Sequence, residues 1–351
     1  MRKALYLLAA ASALLLTVAG GPQRSESFCV IFPQGGRDIF GVAQRNIIIF
    51  DVDHISLIPQ VHFEGDARDF GILVPVPSNP QLTSVDNRIF SEASFMTQPM
   101  VRNANQGCNC GEESFVVAAQ AERSIVDAGV VLEVQDSGVI VVSEQLVGMY
   151  QAVILQATHT SDLVDWLNQN QYRYNVADSS ILSQYVADNW FFVAMKLDTS
   201  QVPAVIDQWW NATTNPAKIT FKASGESVTY PLKISAISTR EKAEILVYTI
   251  GRNPMRFDGA KVEYANAFDE TELSFLAQRY PALYDFLTEG TFVTKLRRTF
   301  RKSEMQQDIA IYPVQDRREF RQIIYSNWAG MQFVGMLILV VLLAKRRRFW
   351  R

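Results

Sequence analysis

The sequence predicts an α+β fold, mainly antiparallel β-sheet with several short helices, followed by a single C-terminal transmembrane helix. Three observations predict it. Short β-branched and aromatic runs recur from residue 42 to residue 314. Helical apolar spacing is confined to brief stretches, most of them after residue 158. Trp328 to Ala344 is apolar except for Gln332.

Residues 1–20 read as a secretory signal peptide. Arg2 and Lys3 form a positive start, Ala4 to Val18 is apolar or small, and Val18-Ala19-Gly20 offers a cleavage site before Pro22. A retained N-terminal anchor is the alternative. Cys29 comes too late for a lipoprotein signal.

The body follows in order. Asn46 to Phe50 is a β-branched strand ending in Asp51-Val52-Asp53-His54. Ile55 to Phe63 is a second strand, which Pro59 demotes to an edge or a bulge. Phe70 to Pro77 is a third, broken by two prolines. Residues 78–113 are polar and loop-rich, with one short helix around Ser84 to Ala93. Strands are predicted at Ser114–Ala121, Val130–Val134, Val139–Ser143 and Gln151–Gln156. Helices follow from Thr158–Ser161 and from Ser179-Ser180, where hydroxyls can cap orphan amides.

Trp190 to Leu197 reads as a buried strand, and Pro203 opens a third helix. Lys218–Ala223, Ser227–Ile237 and Ile245–Ile250 read as strands. Glu270 to Leu287 is helical and must break or kink at Pro281. Phe292–Phe300 and Asp308–Val314 close the body as a final pair of strands. The change of character near residue 158 divides it into a β-rich part, 28–157, and an α+β part, 158–322.

Residues 323–344 are the predicted span. The 17 residues from Trp328 to Ala344 give about 26 Å of helix, slightly short of a ~30 Å hydrocarbon core, so Ile323, Ile324 and Tyr325 lengthen it. Lys345 to Arg351 is a basic tail, which belongs in the cytoplasm. Together with the signal peptide this places the body outside the cytoplasm, on a cell membrane. The alternative is a sorting signal removed by a protease.

The chain carries 33 Lys+Arg and 36 Asp+Glu. Setting aside Arg2, Lys3 and the five tail bases leaves 26 against 36, a net of −10 for the body. Such an acidic body argues, on bulk charge alone, against strong binding to nucleic acid or to an anionic membrane. Arg297-Arg298, Arg301-Lys302, Arg317, Arg318 and Arg321 form a local basic exception. They read as solvated faces, with contact to lipid headgroups as the alternative.

The chemistry available is sparse. The three histidines are His54, His62 and His159. His54 and His62 share parity on one strand, near Asp51, Asp53 and Asp66, so a metal site there is conceivable. His159 precedes a helix and reads as a surface residue. No nucleophile elbow, H-E-x-x-H, Walker loop or G-x-G-x-x-G is present. No cofactor is implied. Trp166, Trp190, Phe191, Phe192, Trp209 and Trp210 read as core.

Outside the cytoplasm, thiols tend to become disulfides. A Cys108–Cys110 bridge would close a very small, strained ring. The expected staple is Cys29 with either Cys108 or Cys110. A zinc site would need a histidine to complete the three cysteines.

Several stretches in this order resemble a known family. They are Gly65-Asp66-Ala67-Arg68-Asp69-Phe70 running into Val74-Pro75-Val76-Pro77, Tyr150 to Leu155, Leu163 to Leu167, Tyr185 to Leu197 and Tyr230 to Ser235. They resemble the exported bacterial proteins of domain of unknown function family 2330, over roughly residues 28 to 300. That resemblance implies export, a cysteine soon after the signal and a hydrophobic tail, and implies no activity. Gly71-Ile72-Leu73 departs from the pattern, where the family usually places a tryptophan.

The function expected is a membrane-anchored envelope module that binds a partner, protein or polysaccharide, or plays a structural part. The rival is an envelope hydrolase or metal-dependent enzyme using Asp51, Asp53, His54, His62 and Asp66.

Overall fold

The structure is a computed structural model that describes residues 30–33, 40–64, 70–103, 138–148, 150–172, 174–175, 178–197 and 216–326. The first strands are β1 (Val30–Pro33), β2 (Phe40–Phe50), β3 (His54–Glu64), β4 (Phe70–Val76) and β5 (Gln81–Ser84). Helix α1 (Arg88–Met96) precedes β6 (Met100–Asn103), β7 (Val139–Val147) and β8 (Tyr150–Ala157). Helices α2 (Thr160–Gln169) and α3 (Ser179–Ala187) lead into β9 (Phe191–Leu197), β10 (Ala217–Lys222) and β11 (Val228–Tyr230). A short α4 (Leu232–Ser235) is followed by β12 (Lys242–Gly251), β13 (Met255–Arg256) and β14 (Lys261–Ala267). Then come α5 (Glu270–Arg279), α6 (Pro281–Tyr284), β15 (Phe292–Arg301), β16 (Ile309–Pro313), β17 (Phe320–Arg321) and β18 (Ile323–Ser326).

Side-chain parity builds these elements into four layers. One sheet has the order β1-β4-β9-β8-β7, all antiparallel. On it Ile72, Val74, Val76, Ala152, Ile154, Val193 and Met195 point one way, into a core shared with Ile48, Ile55, Leu57, Ile245, Val247 and Leu296. Their neighbours Leu73, Leu155, Phe192 and Ala194 point the other way, onto Leu163, Val164, Leu167, Leu182 and Tyr185 of α2 and α3. A strand buried on both faces gives an unbroken apolar run, which is why β9 reads FFVAM.

The second layer of strands repeats the pattern. It comprises β2-β3-β10-β5 and β12-β15-β14-β17, with β2 lying against β12. Its inner face supplies the shared core. Its outer face, with Ile47, Ile58, Leu246, Tyr248, Ile250 and Val293, packs under Ile89, Phe90, Leu273, Leu276 and Leu283 of α1, α5 and α6. The order is helices, sheet, sheet, helices. Strands from both sides of residue 157 pair directly: β4 with β9, and β10 with both β3 and β5.

Local chemistry sets several element ends. Asp269 accepts from the Glu272 N–H at 2.8 Å, and Glu272 accepts from the Asp269 N–H at 3.0 Å, a reciprocal cap at the start of α5. The helix stops at Arg279 and restarts with Pro281 at its first turn, the break expected from that proline. Gly71 lies so close to Tyr172 that a Cβ there would sit 2.5 Å from the ring. The space over Gly71 is therefore filled by a tyrosine from another segment.

The structure corrects several expectations. Residues 227–237 are not one strand, because Pro231 ends β11 and α4 follows. The early helix runs from Arg88, with the Arg88 N–H donating to the Asp86 carboxylate at 2.9 Å. Strands β15 and β16 do not pair with each other: β15 lies between β12 and β14, β16 between β11 and β13. Strand β3 lies between β2 and β10, so of the edge or bulge that Pro59 implied the structure shows an irregularity rather than an edge. Its ladder with β10 ends at Leu57, two residues short of Pro59, and its register with β2 shifts between the Gly41 and Phe50 pairs.

Only the start of the predicted C-terminal span is corrected. Among the described residues, which end at Ser326, no helix is long and apolar enough to cross a membrane. Ile323, Ile324 and Tyr325, which lengthen the predicted span, lie in β18 instead, paired in parallel with β6. Their β-branched and aromatic side chains suit a strand, and their backbone bonds go to a neighbour rather than along a helix. Residues 327–351, the signal segment 1–20, the strands predicted at 114–121 and 130–134 and the helix from Pro203 lie outside the described residues.

Candidate functional site

The residues singled out by sequence fall in three places. Asp51, Asp53 and His54 sit at the exposed turn between β2 and β3. The Asp51 N–H donates to the His54 carbonyl at 3.0 Å, and the Asp51 carboxylate accepts from the Val52 N–H at 2.7 Å. The Asp53 carbonyl accepts from the Ala223 N–H at 2.9 Å. The first two contacts close a hairpin turn, and the third extends the β3–β10 pairing by one residue. His62 is eight residues further along β3, roughly 26 Å away at ~3.3 Å per residue. The two histidines therefore stand at opposite ends of β3. Asp66, Cys29, Cys108 and Cys110 lie outside the described residues. Among the described residues no group of three His, Cys, Asp or Glu side chains could hold a metal ion. His159 is exposed before α2 and lies 3.3 Å from the Asp162 carboxylate, a surface residue as expected.

The charged groups that come together were not expected to. Lys295 and Arg297 alternate on β15 and face outward from the shared core, towards Glu263 of β14 and Glu244 of β12. The Arg297 Nε donates to Glu263 Oε1 at 2.8 Å and its Nη2 to Oε2 at 3.3 Å. Its Nη1 donates to Glu244. The Lys295 ammonium lies 3.3 Å from Glu263 Oε2, and these two side chains are 8% and 11% exposed.

A bulge makes this possible. Val262 pairs with Leu296 and Tyr264 with Lys295, so Glu263 is the extra residue of β14. It reaches the same face as Tyr264 instead of the opposite one. Burial pushes the Glu263 carboxyl up, but Arg297 and Lys295 outweigh it and hold it below the ordinary carboxylate range. Burial pushes the Lys295 ammonium down, only partly offset by Glu263. This cluster locks three strands together, and Arg297 is neither a solvated base nor a lipid contact. Charged residues inside a strand normally read as a wet face, so only the acids on β12 and β14 could have signalled it.

On the opposite face of the same strands lies a cleft of about 380 Å³. Val262, Ala265 and Thr294 form its floor, Pro254, Met255 and Arg256 one wall, and Val314, Asp316, Arg318, Glu319 and Phe320 the other. The cleft is held open by its own framework. The Val314 N–H donates to the Pro254 carbonyl at 2.8 Å, and Met255 N–H to Thr294 Oγ1 at 3.4 Å. Arg317 donates to the Arg252 carbonyl at 2.7 Å and to Asn253 at 2.9 Å, with its guanidinium 4.8 Å from the Phe292 ring centre.

Arg318 grips Asp316 through Nε at 2.9 Å and Nη2 at 2.6 Å. That guanidinium holds the Asp316 carboxyl down to about 2, so it stays ionised across physiological pH. The rim therefore carries fixed charge of both signs over an apolar floor. Its lining brings Arg256, Arg318, Asp316, Glu319 and the Thr294 hydroxyl around Met255, Val262 and Phe320, groups able to recognise a ligand with polar and apolar parts.

Comparisons with known proteins bear on family and little else. No curated protein matches the chain. Among solved structures, the crystal structure of baculovirus P35 aligns at 10% identity over 84% of this chain and 100% of that one, with a TM-score of 0.32. A mutated baculovirus P35 after caspase cleavage aligns at 7% identity over 77% of this chain and 97% of that one, with a TM-score of 0.35. Likeness at this level carries no argument about fold or activity. A family model described as an uncharacterized protein conserved in bacteria, DUF2330, matches residues 23–312. The chain belongs to that bacterial family.

Proposed function

We propose that this chain is an envelope module of a bacterial cell. It is exported through residues 1–20, tethered by the apolar run 328–344, and binds a partner in the cleft lined by Arg256, Thr294 and Phe320. The observation that carries the reading is the framed cleft itself, whose volume falls in the range of ligand sites. One of its walls, residues 314–320, ends eight residues before the apolar run begins. A tethered body would therefore present this cleft close to its own membrane, where envelope proteins and polysaccharides are found. The mixed-charge rim over an apolar floor suits a polypeptide or glycan segment that offers both polar groups and an apolar face.

The test is a titration of detergent-solubilised full-length protein against fractionated envelope polysaccharide and envelope protein. Arg256 and Arg318 are exposed, so Arg256→Glu and Arg318→Glu alter the rim without opening the core. Saturable binding by the native chain that weakens severalfold in both variants supports the reading. Binding that is unchanged in both, or absent from the native chain, overturns it.

A further inference from the structure

Strands β6 and β18 form a parallel ribbon at the edge of the molecule, with Met100 opposite Ile323, Val101 opposite Ile324 and Arg102 opposite Tyr325. A two-stranded ribbon alone is marginal in water. This one also displays apolar side chains outward: Val101 is 68% exposed and Tyr325 66%, and Met100 and Ile324 are also exposed. Phe95, at the end of α1 just before the ribbon, is exposed as well. Alternation puts Val101 and Ile324 on one side of the ribbon and Met100, Arg102 and Tyr325 on the other, so it carries exposed apolar groups on both sides. Scattered apolar residues on a surface need no explanation, but their concentration on one two-stranded ribbon marks an interaction surface.

Chain length fixes what this face meets. Only Asn327 separates Ser326 from Trp328, where the apolar run begins. Two residues reach at most about 7 Å. The interfacial layer on each side of the hydrocarbon core is itself roughly 5–8 Å deep. If Trp328 enters the bilayer, the end of β18 cannot leave that layer, and β6 lies one strand spacing, ~4.8 Å, from it. Tyr325 beside Arg102 is the pairing such a layer favours, an amphipathic ring next to a cation that reaches for phosphate.

We infer that the β6–β18 ribbon seats on the phospholipid surface and orients the body on its membrane. This rests on the anchoring proposed above and goes beyond it. The ribbon is rigidly joined to the body. The Met100 N–H donates to the Gln322 carbonyl at 2.9 Å, and the Gln322 N–H to the Glu263 carbonyl at 3.0 Å. The cleft wall of residues 314–320 is continuous with it, so the same seating sets the direction in which the cleft opens.

The experiment uses the full-length chain reconstituted into phosphatidylcholine–phosphatidylglycerol vesicles, with a photoreactive diazirine lipid labelled close to the headgroup. Adducts are mapped by mass spectrometry. The expected result is labelling within 328–344 and on Val101, Ile324 or Tyr325, with ribbon labelling reduced severalfold in a Val101→Ser, Ile324→Ser double variant. Labelling within 328–344 but not on the ribbon overturns the seating and leaves the anchor standing, and this is also the result if a second copy covers the ribbon. Labelling of neither region overturns both.

Discussion

Glu263 occupies the extra position of a β-bulge and accepts two hydrogen bonds from Arg297 on the neighbouring strand, at 2.8 and 3.3 Å. The bulge and the ion pair depend on each other. Without the added residue the carboxylate would point into the cleft face, and without the carboxylate Lys295 and Arg297 would be left together in a nearly dry place. Glu263→Gln keeps the shape and removes the charge. We expect a loss of about 3 kcal/mol, the order seen when one partner of a buried pair is removed. Urea unfolding should show a lower midpoint with an unchanged slope.

The same carboxylate gives a pH signature. Its folded pKa lies below the ordinary 4.5, so its contribution is present in full above that value. It is lost as pH falls through the depressed folded pKa. The stability difference between native protein and Glu263→Gln should therefore be constant near neutrality and shrink below about pH 4.5. A difference that does not change down to acid denaturation would show that the charge contributes nothing.

Arg321 ties the C-terminal segment to α1. Its Nε donates to the Gln98 carbonyl at 2.8 Å and its Nη2 to the Met96 carbonyl at 3.1 Å, with the guanidinium 5.6 Å from the Tyr264 ring centre. A cation is favourable at a helix C-terminus, where carbonyls lack partners. Arg321→Ala should cost about 1 kcal/mol. Its clearer readout is hydrogen exchange, which should accelerate in residues 98–103 and 323–326 and stay unchanged in β9.

Gly71→Ala tests the outer packing of the β1-β4-β9-β8-β7 sheet. The added methyl would meet the Tyr172 ring, which also carries the Lys196 ammonium 4.8 Å from its centre. Overpacking of this kind costs about 2 kcal/mol. A stability loss of that size, measured by urea unfolding, is expected. No loss would mean that Tyr172 is free to swing aside.

The Asp53 backbone carbonyl accepts from the Ala223 N–H just past β10, and among the described residues its carboxylate makes no hydrogen bond or ion pair. Asp53→Asn should change stability by no more than about 0.5 kcal/mol. Equilibrium dialysis with zinc should give the same result for native and variant protein. A stoichiometric site lost in the variant would revive the enzymatic reading of residues 51–66.

Much of the fold was legible because buried strands and amphipathic helices announce themselves by their apolar spacing, although α2 and α3 begin at His159 and Asp178 without the hydroxyl caps expected there. WFFVAMKL could hardly be anything but an internal strand, and Pro281 marked its break. What sequence period does not carry is partnership. Nothing local says that Leu73 lies beside Ala194, or that β10 crosses back to β3, because those pairings depend on closing loops more than a hundred residues long. Prolines were uneven guides. Pro59 predicts an edge or a bulge, and β3 is internal with an irregular register to β2, while Pro231 ends a strand that the apolar pattern alone would continue. The candidate site was least visible. Arg297 looked like a surface base until Glu244 and Glu263 were seen across from it, and the cleft is assembled from four separated segments. The acids and histidine near residue 54 drew attention through residue type alone, and their contacts belong to a turn.

The most direct test of the central claim, a body held outside the cytoplasm by residues 328–344, is topology in the cell. Full-length chain with an epitope in the exposed β2–β3 turn should remain with the membrane fraction after an alkaline wash. The epitope should be destroyed by protease added to the outside of spheroplasts. Recovery in the soluble extracytoplasmic fraction, or an epitope protected until the membrane is broken, would contradict the account.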